Sequence, residues 1–84
     1  MAKLKKLIEQ ILLGRGDAGI GFDDLCHVLI GLGFSERTRG GHHIFSHPEV
    51  EELINLQRDG SKAKPYQVRQ VRAIIVRYRL GAME

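Results

Sequence analysis

The chain of 84 residues contains a single cysteine, Cys26, so it lacks the pair that an internal disulfide requires. It also lacks a long apolar run, and its first six residues mix lysines with apolar residues, unlike the apolar segment of a secretory signal. Internal repeats and low-complexity tracts are absent as well. We therefore expect neither a transmembrane segment nor a covalently stapled fold, and the sequence predicts a reduced, cytoplasmic protein.

The size and composition of the chain are those of one small globular domain. Hydrophobic residues make up 43% and charged residues 27% of the chain, which is typical of a folded domain and not of a disordered tail. We expect a single domain over residues 1–84. A chain of 9.5 kDa has little room for a large internal cavity, so no small-molecule cofactor is expected.

Positive charge is concentrated at the C-terminal end of the chain. The formal net charge is +3, and residues 61–84 contain Glu84 as their only acidic residue. The cations of this segment are Lys62, Lys64, Arg69, Arg72, Arg77 and Arg79. Cations gathered at one end of a chain with a pI near 9.4 indicate a polyanionic partner, of which nucleic acid is the commonest.

Apolar residues at helical spacing predict three helices, over about residues 2–13, 22–32 and 65–80. Glycines follow the first two helices, while Pro65 suits the first turn of the third and Gly81 its end. The expected buried stripes are Leu4, Leu7, Ile8 and Ile11 in the first helix, Leu25, Val28, Leu29 and Leu32 in the second, and Val68, Val71, Ile75 and Tyr78 in the third.

Three short strands are predicted between the second and third helices, over about residues 34–38, 42–46 and 52–57. The segments 39–41 and 47–49, which contain glycine or proline, separate them as turns. Ile54 and Leu56 alternate with polar residues, so both are expected to face the core. The order α-α-β-β-β-α predicts an α+β domain in which a three-stranded meander is covered by helices on one face.

The third helix carries arginines beside its apolar face. Arg69, Arg72 and Arg79 follow helical spacing, and no acidic residue within the helix is placed to pair with them. Lys62 and Lys64 precede the helix N-terminus, where backbone N–H groups and the helix dipole favour phosphate. We expect these five cations to bind phosphate groups. A solvated charged face is the alternative.

Three histidines lie within six residues, at His42, His43 and His47. Neighbouring strand residues point to opposite faces, so His42 and His43 cannot share a metal ion. Cys26 lies on another element and has no Cys-x-x-Cys partner, so no metal site is predicted. An imidazole, which titrates near pH ~6.5, suits a general acid or base, and the preceding Gly40-Gly41 pair would let a phosphodiester backbone approach closely. Polar strand residues without a catalytic role are the alternative.

The segment Gly40-Gly41-His42-His43-Ile44-Phe45 resembles the Gly-Ser-His-x-x-Phe/Tyr signature of the HicA-type toxins, the mRNA interferases of HicA/HicB toxin–antitoxin pairs. Two flanking segments agree with it: Phe22-Asp23-Asp24-Leu25 at a helix start and Gly33-Phe34 at a strand entry. The segment Lys64-Pro65-Tyr66-Gln67-Val68-Arg69-Gln70-Val71-Arg72 is similar to the C-terminal part of one branch of the family. The resemblance covers about residues 3–80.

This resemblance implies a fold like that of a double-stranded-RNA-binding domain, with helices on one face of a three-stranded antiparallel sheet. It also implies a metal-independent endoribonuclease that cleaves mRNA and is silenced by a HicB-type antitoxin protein. His42 occupies the position of the catalytic histidine, and the residue before it, usually Ser in the family, is Gly41. The expected RNA-binding residues are Gly40, Gly41, Lys62, Lys64, Arg69, Arg72 and Arg79.

Two other functions fit the same residues. A non-catalytic RNA-binding module of this fold would use His42 only as a contact, and Gly41 in place of Ser favours this interpretation. An adaptor domain would instead present its cations to an acidic protein, and RNA binding that weakens steeply with added salt would count against it. A platform for base stacking would come from Phe45 or Tyr66, and Phe45 is expected to lie in the core.

Overall fold

A computed structural model describes residues 2–80 of the chain, and their side chains from residue 4 onward. The elements are α1 (Ala2–Leu13), the short 3-10 helix η1 (Asp17–Gly19), α2 (Phe22–Gly31), β1 (Ser35–Arg39), β2 (His42–His47), β3 (Val50–Gln57) and α3 (Pro65–Tyr78). The three strands form one antiparallel sheet, and the helices pack on one of its faces. The predicted α+β architecture and its element order are confirmed, while η1 is an addition to them.

The sheet has the strand order β1-β2-β3 and is built from two hairpins. β1 and β2 pair as far as Arg39 and His42, which leaves Gly40 and Gly41 as a two-residue loop. Gly40 has a φ of 62°, a left-handed conformation that glycine adopts without steric cost and that two-residue hairpin loops require. This turn places His42 at the first position of β2.

One hydrophobic core lies between the sheet and the helices, and its formation is the main driving force for folding. The side chains with no exposed surface come from α1, α2, β2, β3 and α3. They are Ile11, Phe22, Leu25, Val28, Leu29, Phe45, Ile54, Leu56, Val68 and Val71. The expectation that Phe45, Ile54 and Leu56 face the core is confirmed. Because strand residues alternate between faces, the residues between these three lie on the other side of the sheet.

We call that uncovered side of the sheet the open face. Residues that pair directly across an antiparallel sheet share a face, and the register therefore assigns the open face its members. These include Ser35, Arg37 and Arg39 from β1, His42, Ile44 and Ser46 from β2, and Asn55 and Gln57 from β3. The open face thus carries two arginines among mostly polar residues, whereas the helix-covered face buries Phe45, Ile54 and Leu56 in the core.

The second and third strands are longer than predicted, and the first keeps its predicted length but is shifted by one residue along the chain. Phe34 is buried in the core ahead of β1, so the strand begins one residue later and extends through Arg39, which was predicted in the turn. β2 extends to His47, which pairs with Val50 at the start of β3. The second turn is therefore shorter than the predicted 47–49, because His47 pairs with Val50 instead of forming part of it.

The last helix is shorter than the predicted one. Arg79 adopts a left-handed conformation with a φ of 56° and ends α3 at Tyr78, while the predicted end at Gly81 lies outside the described residues. Tyr78 is only partly buried, because its hydroxyl donates a hydrogen bond to Glu52 Oε1 at 2.6 Å. No helix within residues 2–80 is long and apolar enough to cross a membrane.

The buried amide of Gln67 ties the start of α3 to the end of β3. Its Nε2 donates to the carbonyl oxygen of Gln57 at 3.1 Å. Its Oε1 accepts a hydrogen bond from the backbone N–H of Lys64, also at 3.1 Å. Because Gln57 pairs with His42, the N-terminus of α3 is held at the same end of the sheet as that histidine. A buried polar side chain is expected to be hydrogen-bonded in this way.

Candidate functional site

His42 is exposed at the start of β2, on the open face. Its Nδ1 lies 3.1 Å from Oδ1 of Asn55, which reaches it diagonally from β3. No second hydrogen bond holds the ring within the part of the chain that the structure describes. An exposed imidazole that is oriented through one nitrogen can exchange a proton with a bound molecule through the other.

Two arginines of β1 place positive charge beside this histidine. Arg39 pairs directly with His42 across the sheet, and Arg37 pairs with Ile44. Directly paired residues have Cβ atoms about 4.5–5.5 Å apart, so the side chain of Arg39 can reach an anion held at His42. Both arginines are exposed, and among residues 4–80 neither belongs to a salt bridge. Their charge is available to a ligand.

The sequence analysis did not single out these arginines, although a signal for them was present. In a hairpin with a two-residue loop, the last residue of the first strand pairs with the first residue of the second strand. The sequence Arg39-Gly40-Gly41-His42 contains such a loop, so the pairing of Arg39 with His42 was available from the loop length. The predicted strand ended at residue 38 and left Arg39 in the turn, so the pairing was not predicted.

A pocket of about 250 Å³ adjoins the same end of the sheet. It is lined by Gln57, Arg58, Asp59, Lys64 and Tyr66, and Gln57 is the β3 residue that pairs with His42. Tyr66 is 55% exposed, so its ring is available for stacking against a base. Phe45, the other aromatic residue considered for this role, is fully buried and is not available.

The two lysines predicted to bind phosphate have different surroundings. Lys64 lines the pocket, and its Nζ lies 2.6 Å from Oδ2 of Asp59. This hydrogen bond, reinforced by the opposite charges, raises the pKa of Lys64 and lowers that of Asp59. Lys62 instead forms a β-bridge with Gly21, and its Nζ donates to the carbonyl oxygen of Gly19 at 3.4 Å. Lys64 is therefore the lysine placed at the pocket.

The guanidinium of Arg72 is bound within the protein and is not a free surface charge. Its guanidinium is bound to Asp17 through two hydrogen bonds of 3.0 Å, and its Nη1 also donates to the carbonyl oxygen of Ile11 at 3.0 Å. The two side chains are mostly shielded from solvent. Arg72 therefore connects α3 to the end of α1 and to η1. The expectation that it binds phosphate does not fit this geometry, because the guanidinium already holds a carboxylate in the bidentate manner that suits phosphate.

Arg69 and Arg79 are exposed, but they belong to the helix layer. Arg79 follows the end of α3 in a left-handed conformation, so it does not continue the helical spacing of Arg69 and Arg72. The open face with His42 lies on the other side of the sheet. The structure therefore does not bring together all the residues that the sequence analysis grouped: Gly40, Gly41, His42 and Lys64 lie at one end of the sheet, and the arginines of α3 do not.

The Asp17–Arg72 pair predicts a pH-dependent contribution to stability. The hydrogen bond and charge of Arg72 hold the pKa of Asp17 below its ordinary value of 3.8. A carboxyl with a lowered pKa in the folded state stabilises above its unfolded pKa, and this contribution is lost as the pH falls through the folded value. We expect Arg72→Ala to lower the melting temperature at pH 7, and the difference from wild type to shrink below about pH 4.

Thermal denaturation followed by circular dichroism between pH 2 and pH 7 measures this effect. Arg79→Ala is the control, since it removes an exposed arginine just after α3 that neither hydrogen-bonds Asp17 nor contributes to its lowered pKa. A difference between Arg72→Ala and wild type that stays constant down to pH 2 would contradict the assignment to Asp17.

His43 lies on the helix-covered side of β2, in a cluster with Cys26 and Glu36. Its ring meets Phe22 edge to face with centroids 5.2 Å apart, and its Nδ1 lies 2.6 Å from Oε2 of Glu36. The donor atoms of Cys26, Glu36 and His43 lie within 4.8 Å of one another. The sequence analysis placed Cys26 on a separate element, and that element packs against His43.

Burial, with a smaller effect from Glu36, raises the pKa of the Cys26 thiol to about 11, so the thiol is protonated at neutral pH in the metal-free protein. Glu36 and His43 are already hydrogen-bonded to each other. Glu36, His43 and the Cys26 thiol lie where α2 packs against the sheet. That the protein acts without a metal ion stays a prediction.

His47 lies on the same side of the sheet as His43. Its ring packs against Phe34 with centroids 5.0 Å apart. Its Nδ1 accepts a hydrogen bond from the backbone N–H of Glu49 at 3.0 Å. His47 thus stabilises the β2–β3 turn, and His42 is the one histidine of β2 on the open face.

Comparison of the chain with protein-family models, with curated proteins and with solved structures finds no match. The site is therefore defined by its geometry. An exposed histidine is oriented by an amide and lies beside two arginines that form no salt bridge among residues 4–80, next to a pocket lined by a lysine and an exposed tyrosine. Such a group of residues can bind an anionic ligand and exchange a proton with it.

Proposed function

We propose that the protein is a metal-independent endoribonuclease that cleaves mRNA, with His42 as its catalytic residue. The observation that supports this most directly is the placement of His42 on the open face, hydrogen-bonded to Asn55 and paired with Arg39. The resemblance of segment 40–45 to the HicA signature points to the same residue.

The proposed reaction is an internal transesterification of RNA. His42 takes the proton of a ribose 2′-hydroxyl, and the 2′ oxygen forms a bond to the adjacent phosphorus. The bond from phosphorus to the 5′ oxygen of the next nucleotide breaks, and that oxygen receives a proton from the imidazolium. The products are a 2′,3′-cyclic phosphate and a free 5′-hydroxyl. The guanidinium of Arg39 would stabilise the charge that develops on the phosphoryl oxygens.

The proposed RNA path runs from the open face to the pocket at the N-terminus of α3. Arg37 and Arg39 would contact phosphates on one side of His42, and the backbone N–H of Gly41 can donate to a phosphate in the turn. Beyond His42, Lys64 and Tyr66 would hold a neighbouring phosphate and a stacked base. Arg69, Arg79 and Lys62 lie off this path and are proposed only as contacts of a longer RNA.

In the cell, we propose that the chain is the toxin of a type II toxin–antitoxin pair. A nuclease that degrades mRNA harms its own host unless an inhibitor is present, so this function requires a protein partner, for which a HicB-type antitoxin is the candidate. The protein would act in the cytoplasm, where its mRNA substrate is translated. A small open reading frame that overlaps or adjoins the gene would support the pairing.

Incubation of the purified protein with a long mRNA in excess EDTA tests the proposal. We expect discrete fragments with 2′,3′-cyclic phosphate and 5′-hydroxyl ends, and we expect the chelator to leave the rate unchanged. Cleavage only after addition of a divalent cation, or fragments with 5′-phosphate ends, would contradict the mechanism.

A second candidate function is a non-catalytic RNA-binding module, and Gly41 is the observation that favours it. The HicA signature carries a serine hydroxyl at this position, and this chain offers only a backbone N–H. RNA binding by a folded wild-type protein that leaves the RNA intact would favour the module over the nuclease.

The location of the RNA path gives a prediction about salt dependence. Arg39→Ala should weaken RNA binding and reduce the slope of log affinity against log salt concentration by about one unit, because one phosphate contact is lost. Arg72→Ala should leave that slope unchanged, since its guanidinium is bound to Asp17. Fluorescence anisotropy with a labelled RNA over a salt series measures both slopes. A reduced slope in Arg72→Ala together with a wild-type slope in Arg39→Ala would move the path to the helix layer.

A further inference from the structure

Asn55 is a polar residue in the interior of β3, where its side chain has no structural role in the core. It is exposed on the open face, and asparagine is disfavoured in strands compared with β-branched or aromatic residues. Its neighbours along the chain, Ile54 and Leu56, are fully buried and stabilise the sheet without it. The one side-chain hydrogen bond of Asn55 among the described residues is the contact with His42.

This contact determines which nitrogen of His42 carries the proton. The amide oxygen of Asn55 can only accept a hydrogen bond, and it lies 3.1 Å from Nδ1 of His42. With the amide oxygen facing the ring, Nδ1 carries the proton of the neutral imidazole, which leaves the lone pair on Nε2. When Nε2 takes up a proton, Nδ1 keeps its own and the hydrogen bond persists. The same contact can orient the ring in both states of a proton-transfer cycle.

His42 and His43, neighbours in β2, have hydrogen-bond partners of different charge. On the other face of the same strand, His43 has a carboxylate partner, Glu36, at 2.6 Å. The partner of His42 is instead a neutral amide, which orients the ring without adding a negative charge. Arg39 on β1 pairs directly with His42, and the adjacent residues of β3 on that face are the uncharged Asn55 and Gln57.

We infer that Asn55 is a positioning residue that holds His42 in the Nδ1–H tautomer and presents Nε2 as the proton acceptor. The catalytic part of this inference rests on the proposed function, while the tautomer is a property of the protein without RNA. Asn55 lies on the β3 side of His42 and orients its ring. Arg39 lies on the β1 side and would bind the phosphate. A nucleophile approaching from the solvent would meet Nε2.

Long-range ¹H–¹⁵N NMR spectra of the histidine rings test the tautomer directly. In wild-type protein above pH 8, we expect the His42 signals of a single Nδ1–H tautomer. Asn55→Ala should abolish that preference, and Leu53→Ala, which removes an exposed side chain from the same strand, should keep it. An Nε2–H tautomer in the wild type, or an unchanged tautomer in Asn55→Ala, would overturn the inference whether or not the protein cleaves RNA.

Kinetics then separate positioning from a general loss of stability. We expect Asn55→Ala to lower kcat for RNA cleavage by about 10–100-fold, as for other residues that orient a functional histidine, with little change in KM or in the melting temperature. Asn55→Asp should keep the tautomer and move the pH–rate profile towards higher pH, because the added carboxylate favours the imidazolium. A wild-type rate in Asn55→Ala, or a profile in Asn55→Asp that does not move, would contradict the positioning role.

Discussion

Replacing His42 with Ala should lower the rate of mRNA cleavage by about 10²–10⁴-fold, which is the usual loss when a general base is removed. The variant should keep its fold, because the side chain is exposed and its one hydrogen bond, to Asn55, is on the surface. RNA affinity should change little, since the phosphate contacts come from other residues. Expression of the variant should no longer inhibit growth, and a cleavage assay in EDTA gives the rate.

His43→Ala is the matched control for this prediction, since it removes the same ring from the next position of the same strand. His43 packs against Phe22 and bonds Glu36 on the helix-covered face. We expect its loss to lower the melting temperature and to leave the cleavage rate of the remaining folded protein close to wild type. Full activity in His42→Ala, or inactivity confined to a folded His43→Ala, would contradict the assignment of the catalytic residue.

Phe45→Ala should be the most destabilising single change in the strand, with a loss of about 3–5 kcal/mol in the free energy of unfolding. The ring is fully buried in the core between the sheet and the helices, so its removal leaves a cavity as well as losing apolar burial. Small domains have a total stability of about 5–15 kcal/mol, so the variant should be largely unfolded at modest urea concentrations. Urea titration followed by circular dichroism measures the change.

Ile44→Ala provides the control for Phe45→Ala. Ile44 precedes Phe45 in β2 and lies on the open face, only half-buried. Its truncation should lower stability much less, since little apolar surface is withdrawn from a packed environment. Equal losses in the two variants would mean that the open face is covered in solution and would contradict the description of the two faces.

These two predictions concern the two sides of one strand. β2 presents His42 to solvent and Phe45 to the core, and the alternation of a strand is what makes this separation possible. A change on the open face can therefore remove activity without removing the fold. The separation also explains why the variants are informative: loss of cleavage in a folded protein is attributed to the site.

The sequence determined the class of fold and the order of its elements. Helices and strands have different periods of apolar residues, and both periods are read within a dozen neighbouring positions. The same patterns predicted that Phe45, Ile54 and Leu56 face the core, and the Gly40-Gly41 pair predicted the turn that places His42 at the start of β2. The boundaries of the elements were less predictable. β3 begins at Val50 because this residue pairs with His47, and α3 ends before Arg79 because Arg79 has a left-handed backbone conformation. A local pattern of apolar residues contains neither feature.

Only the tertiary structure decided which residues accompany His42 and which cations are available to a ligand. The partner of Arg72 is Asp17, 55 positions away along the chain, so a search for acids within α3 could not find it. Asn55 lies 13 positions from His42 in the sequence, and the two residues meet because the β2–β3 register places them diagonally opposite each other. Register and ion pairing depend on segments that are distant in sequence and meet only when the core forms. For that reason the sequence identified His42 as the candidate residue, and the fold identified its neighbours.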